Sequence, residues 1–328
     1  MSFHQTSVSG FPAVALRSEL LELVVVPSIG CKITNLRRRR GREWLWRSTQ
    51  IPLAAPEYGA SYVETADSGG WDECFPTVAP SPIPGAGPGA PALPDHGELW
   101  ALPWSSQVYR HAGGTTLAGR VVGRVLPYEF EREVTLDPHE PLVRFRYRLR
   151  HTGSEPFRWI WSSHPLLNVQ PGSVLELPSV SRARVDVVHG RSDVERGGEL
   201  PWPPPAPGET SGSPGAAFVF PDEGAGWAMK LFADVGPSGK MTLTDPRSGE
   251  RLEIRVDPSS VPQVGIWLNL GGWAPSGKRP YYNLALEPCI GAPDSLADAV
   301  ERWGTAMTLE PTEERRWEVA VALFDADE

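Results

Sequence analysis

Three residues of this chain are of the types that move protons, and each sits in aromatic or apolar company. Glu287 follows the alternating run Tyr281–Leu286 and precedes Pro288. His164 closes Trp159-Ile160-Trp161-Ser162-Ser163-His164 and precedes Pro165. His96 lies in Pro94-Asp95-His96-Gly97-Glu98-Leu99-Trp100, with Pro103-Trp104 just beyond. A carboxyl beside Leu284, Leu286 and the Trp267 and Trp273 segment is expected to be buried, and burial raises its pKa towards general-base range. The proline after Glu287 and after His164 predicts that each stands at a strand end. Glu287 as base with His164 and His96 as proton-transfer partners is the chemistry these types allow. The plain alternative is a β-protein whose His and Glu merely satisfy local hydrogen bonds. A fourth segment, Gly69-Gly70-Trp71-Asp72-Glu73-Cys74-Phe75-Pro76, adds carboxylates between aromatic residues.

Other chemistries lack their residues. No G-x-S-x-G elbow supports a serine nucleophile. The histidines are isolated, without H-x-H or H-E-x-x-H, and the three cysteines have no zinc spacing, so no metal site is expected. Glu73, Glu98 and Glu287 offer carboxylate pairs for glycoside hydrolysis, yet no motif singles out a pair. Gly85, Gly87 and Gly89 are interrupted by Pro88 and no helix follows, which removes a phosphate cradle. No cofactor is expected.

The elements that must position these residues are strands. Val143, Phe145, Tyr147 and Leu149 alternate with Arg144, Arg146, Arg148 and Arg150, which places four apolar groups inward and four guanidinia outward. That arginine row reads as a solvated sheet face rather than an anion site. Similar runs occur at Glu19–Val26, Tyr128–Leu136, Arg158–Ser163, Met241–Thr244, Leu252–Val256, Val264–Leu270 and Trp317–Phe324, separated by turn residues. One helix is expected: Pro293-Asp294-Ser295 opens it, Leu296, Val300 and Trp303 share a face, and Gly304 closes it. The fold class is therefore all-β, a large antiparallel β-sandwich with one or few short helices, in a single domain over residues 1–328. Segments 80–94 and 201–215, each with six Pro and three Gly, read as long surface loops. Arg37–Arg40 reads as a charged hairpin tip.

Composition narrows the partners. The chain of 328 residues has 31 Lys+Arg against 40 Asp+Glu, a net charge of −9, which disfavours nucleic acid and anionic membrane surfaces. Cys31, Cys74 and Cys289 are odd in number and far apart, as in a reducing compartment. With no signal-like run, a cytoplasmic protein, monomer or homodimer, is expected. Thirteen Trp suggest aromatic surfaces beyond what a core requires.

Three segments carry a family resemblance. Pro94-Asp95-His96-Gly97 followed by Trp100 looks like the first histidine motif of the hexose-6-phosphate mutarotase branch of the aldose 1-epimerase (galactose mutarotase-like) superfamily. Ser163-His164-Pro165-Leu166-Leu167-Asn168 is similar to the second histidine motif, and Ala285-Leu286-Glu287-Pro288 resembles the motif of the catalytic glutamate. Their order fits, and Gly30 to Trp46 looks like an early hairpin of the family. The resemblance implies the family's large β-sandwich with an open sugar cleft. It implies that Glu287 takes the proton from the anomeric hydroxyl, His164 protonates the ring oxygen, and His96 orients the sugar. Trp71, Trp100 and Trp267 become candidates to stack on the sugar. Asp72 and Asp234, with Asp222 behind them, become candidates to grip its hydroxyls. The phosphate-binding branch continues its first motif to an arginine, where this chain has Glu98-Leu99-Trp100, so the implied partner is a small unphosphorylated sugar. A non-catalytic carbohydrate-binding protein of the same fold is the rival from another class. A glycosidase or lyase has no distinct motif in its favour.

Overall fold

In the strand Leu142–His151 the residues Val143, Phe145, Tyr147 and Leu149 are buried and the arginines between them face outward. Acidic residues of the two neighbouring strands stand opposite those arginines. Glu131 pairs in register with Arg148 and Glu318 with Arg146, and ion pairs form between Arg150 and Glu129 (3.1 Å) and between Arg146 and Glu318 (3.0 Å). The guanidinium row is thus neutralised by its own sheet.

The computed structural model describes residues 2–87, 89–209 and 217–326; Pro88 and positions 210–215 of the two Pro-rich loops lie outside the described residues. Among the described residues the strands form two large antiparallel sheets, one of eleven strands and one of nine, with a small ribbon pairing Phe157–Trp159 with Met307–Leu309. The two sheets pack face to face. Their interior holds Trp71 against Phe145, ring centroids 4.5 Å apart, and Phe130, Tyr147, Trp159 and Trp161 around Trp317. Much of the tryptophan is therefore core. No helix among the described residues is long and apolar enough to cross a membrane.

The middle of the eleven-stranded sheet runs in the order Trp71–Cys74, Trp161–Leu167, Tyr282–Ile290, Gln263–Leu270, Trp227–Asp234 and Arg182–His189. His164 and Glu287 do not stand at strand ends; each lies well inside its strand. Backbone pairing joins Ser162 to Cys289 and Leu166 to Ala285. At that constant register Pro165 and Pro288 fall in the stretch between those two pairs. Proline has no N–H to give the ladder, so two prolines within one strand pair interrupt the ladder without ending either strand.

The expected helix forms as Leu296–Asp298, continues as a π-helical turn Ala299–Trp303, and ends at Gly304 in the left-handed conformation. Its cap is Ser295, whose side chain accepts from the Asp298 N–H, so Asp294 is released from the capping role. A second short helix, Tyr62–Thr65, lies in the loop before Trp71.

Candidate active site

Side chains of a strand alternate between faces, and Trp71-Asp72-Glu73 shows the consequence. Trp71 and Glu73 point into the sandwich, while Asp72 points to the outer face of the eleven-stranded sheet. In register, Asp72 stands opposite His164, and Glu287 stands opposite Gly265. With His164 and Glu287 on facing strands, one row of the outer face carries Asp72, His164 and Glu287. His164 Nε2 lies 3.6 Å from Glu287 Oε1. A cavity of about 200 Å3 opens above this row, walled by His96, Tyr62, Asp67, Lys230, Trp267 and Asp294, among others.

His96 is aimed at the cavity by a strained turn. Its φ is +58°, and Gly97 follows at +69°, a left-handed region that side chains other than glycine rarely occupy. A Cβ on Gly97 would meet the Phe75 carbonyl oxygen at 2.2 Å, so only glycine fits there. The turn is held by the Trp100 indole N–H, which donates to the Asp95 carbonyl at 2.9 Å. His96 Nδ1–H donates to Asp95 Oδ1 at 2.8 Å, and its ring stacks on Tyr62, centroids 4.1 Å apart. The Tyr62 hydroxyl donates to Asp72 Oδ2 at 2.7 Å, and Asp72 is in turn ion-paired with Lys32.

Glu287 is fully buried. Its Oε2 accepts from the Lys230 ammonium at 2.5 Å and from Ser162 Oγ–H at 3.2 Å, while Oε1 has no hydrogen bond. Burial pushes its pKa up, but the charges of Lys230, His164 and His96 and the Lys230 hydrogen bond outweigh that and hold it below the ordinary value. For His164, burial lowers the pKa and outweighs the opposing pull of Glu287, and His96 and Lys230 reinforce the fall, to about 4, so the ring is neutral at pH 7. For His96, burial opposes the charge, yet the hydrogen bond and charge of Asp95 raise the pKa above the usual histidine value. Of the two rings, 5.1 Å apart edge to face, His96 is the one whose surroundings favour the protonated form.

The aromatic wall is Trp267, with Trp273 edge-on at 5.8 Å and Tyr281 edge-on to Trp273 at 5.8 Å. Asp67 is buried and Asp294 half-buried, and the Oδ1 of each makes no hydrogen bond in the protein. Burial raises the pKa of Asp67, and carries that of Asp294 up to about 7 despite Lys230.

Among the residues singled out from sequence, the structure brings Glu287, His164, His96 and Trp267 together. Asp72 is one layer back, behind Tyr62. Trp71 is on the inner face against Phe145 and does not reach the cavity; Trp100 buttresses the His96 turn and packs edge-on to Tyr62 at 5.2 Å. Asp234 is exposed at the end of its strand, in a separate groove with Arg184 and Trp303, and Asp222 lies on an exposed loop. Glu73 and Glu98 are internal clamps: Glu98 accepts from Tyr58 and from the backbone N–H of Arg124 and Val125. Lys230, Asp294 and Asp67 were missed. The signal for Lys230 was a lone cation inside the apolar run Trp227-Ala228-Met229-Lys230-Leu231-Phe232.

No family model matches the sequence, and no curated protein matches it. Solved structures do match by fold. A Synechocystis protein superposes with a TM-score of 0.67 at 17% identity, covering 99% of each chain. A galactose mutarotase related enzyme from Lactobacillus acidophilus gives 0.63 at 15%, over 96% of this chain and 98% of its own. A candidate aldose 1-epimerase from Escherichia coli K12 gives 0.65 at 15%, over 99% and 100%. At such identities the likeness establishes the architecture alone: this chain shares the large β-sandwich fold of these proteins.

Proposed function

We propose that the protein interconverts the α and β anomers of an unphosphorylated aldose by acid/base ring opening. The observation that carries this reading is Glu287 Oε1, unpartnered and 3.6 Å from His164 Nε2, on the floor of a cavity of monosaccharide size. Glu287 Oε1 takes the proton of the anomeric hydroxyl. As the C1–O5 bond breaks, its electron pair passes to O5, the C1 carbonyl forms, and O5 takes a proton from a histidine. Rotation about C1–C2 presents the other carbonyl face, and closure reverses both transfers. The family resemblance gives that second proton to His164. The electrostatics favour His96 as the donor at neutral pH, with neutral His164 beside the anomeric oxygen. Trp267 offers a C–H stacking face, and Asp67 and Asp294 accept hydroxyls.

The choice of a neutral sugar has its own support. Among the described residues the lining includes no arginine, and its lysine, Lys230, is already engaged with Glu287 and Asp294. Among the described lining residues a phosphate would meet Glu287, Asp67 and Asp294, while the cationic groups, Lys230 and His96, are each already paired with a carboxylate. The decay of optical rotation of freshly dissolved α-aldoses is expected to speed up with neutral sugars and not with their 6-phosphates. Acceleration of the phosphates alone would overturn the substrate class.

The pH dependence follows from the two shifts. Glu287, with its pKa lowered, stays ionised down to the acid range, so the acid limb lies below pH 4.5. His96, with its pKa raised by Asp95, keeps its proton beyond the ordinary histidine range, and the rate falls as pH rises through that raised pKa. His96→Asn is expected to remove the alkaline limb along with most of the rate; an unchanged limb would return the donor role to His164. The ion pair that lowers the basicity of Glu287 favours a second reading, a sugar-binding protein without turnover. That reading predicts saturable sugar binding and no acceleration.

A further inference from the structure

One lysine in the cavity wall serves two carboxyls. Lys230 Nζ is 2.5 Å from Glu287 Oε2 and 3.4 Å from Asp294 Oδ1. It belongs to the strand Trp227–Asp234 and reaches Glu287 across the intervening strand Gln263–Leu270 at Gly265. A Cβ on Gly265 would stand 3.0 Å from Glu287 Oε2 and 3.2 Å from Lys230 Cε, so the missing side chain leaves room for the lysine arm. The two carboxyls are held differently. Glu287 has Oε2 fastened by Lys230 and Ser162 and Oε1 open. Asp294 is anchored through its backbone, whose carbonyl accepts from the N–H of Val78 (2.9 Å) and Ala79 (2.8 Å), and its Oδ1 makes no hydrogen bond.

We propose that Lys230 is a positioning residue that gives these carboxyls different work, fixing Oε2 of Glu287 so that Oε1 alone is offered as proton acceptor, and leaving Asp294 to hold a hydroxyl of the bound sugar. This rests on the mutarotase reading of the site. Coulomb energy falls as the inverse of distance, so the ammonium favours the nearer carboxylate by about a third. The other titratable groups acting on the pair are few. The strand Trp161–Leu167 contributes His164, on which Asp72 acts in turn, the first histidine loop contributes His96, and the strand Trp71–Cys74 contributes Cys74. Cys289 stands on Glu287's own strand, and Asp186 acts on Asp294 from Arg182–His189. Among the described residues Lys230 is the one lysine or arginine in ion-pair contact with either carboxyl, and its ammonium keeps its proton because both raise its pKa against burial.

Lys230→Met is the test, in the full chain. Removing an opposite charge in contact moves a carboxyl pKa by about 1–3 units, so the acid limb of the anomer-exchange rate is expected to shift upward by that much, with the rate recovering as pH rises. Lys230→Arg restores the limb to its place. Asp294→Asn raises KM for the sugar and leaves the acid limb where it was. A readout without turnover is the 13C titration of the Glu287 carboxyl carbon, assigned by its loss in Glu287→Gln: its pKa rises in folded Lys230→Met. Lys230→Met with Asp294→Asn removes one of the two uncompensated carboxyls and serves if the single variant does not fold. An unmoved Glu287 titration, or an unchanged KM in Asp294→Asn, would overturn the proposal. Absence of exchange in the wild type with every sugar defeats the mutarotase reading instead, a distinct outcome.

Discussion

Glu287→Gln is expected to lower the acceleration of anomer exchange by about 10²–10⁴-fold, the usual contribution of a positioned acid/base group, while sugar affinity changes little. The amide keeps the shape of the carboxyl, and its oxygen can still accept from Lys230 and Ser162. What it loses is the ability to take a proton at the position of Oε1, which has no partner in the protein. Lys230 retains Asp294 at 3.4 Å as a counter-charge, so the variant is not left with an isolated buried cation. The stability cost is therefore expected to be about 1–3 kcal/mol, as for one lost buried hydrogen-bond partner. Exchange rate, sugar binding by saturation transfer, and thermal melting together separate chemistry from folding. Undiminished exchange in the folded variant sinks the assignment of Glu287.

The largest effect on stability is expected far from the cavity, at Arg132. Its guanidinium is fully buried between the sheets and donates from Nη1 to Glu73 Oε1 at 2.8 Å and from Nη2 to the Cys31 carbonyl. Glu73 also accepts from the Tyr147 hydroxyl and the Trp161 indole N–H, both at 3.0 Å. Arg132→Met strands a buried carboxylate, and breaking such a pair costs about 3–5 kcal/mol, a large share of the about 5–15 kcal/mol that holds a typical domain folded. Urea unfolding measures it. The pH dependence has a definite sign. Burial already raises the Glu73 pKa against the pull of Arg132, and without the guanidinium it rises further. A carboxyl whose folded pKa lies above its unfolded value costs stability as pH rises past the unfolded value, so the variant is expected to be more stable at pH 5 than at pH 8. Adding Glu73→Leu should recover part of the loss, because pair and apolar replacement are often similar in stability. A loss below 1 kcal/mol in Arg132→Met would show that the pair contributes little.

Much of this architecture is legible in the sequence because strand alternation reports directly on burial. Val143 to Arg150 reads as one buried and one solvated face, and the structure places it so. Proline was the misleading signal. Pro165 and Pro288 read as strand ends, but they fall within strands at an interruption of one ladder, which sequence order alone does not reveal. Tryptophan was equally ambiguous: Trp71 and Trp267 have the same composition and strand setting, and only the parity of the register sends one inward and the other to the cavity. Asp294 was obscured by a local signal, since Pro293-Asp294-Ser295 reads as a helix opening and Ser295 alone does the capping. Lys230 and Asp67 come from strands and loops remote in sequence, and their meeting with Glu287 depends on the crossover order of the sheet.

The most direct test of the central claim is two-dimensional exchange spectroscopy of the anomeric protons of neutral aldoses with catalytic amounts of the protein. With an active Glu287, α/β exchange cross-peaks are expected to grow with protein concentration for at least one neutral aldose and to collapse in Glu287→Gln at equal sugar occupancy. Exchange at the uncatalysed rate for every sugar that binds would contradict it and leave a carbohydrate-binding protein of the same fold.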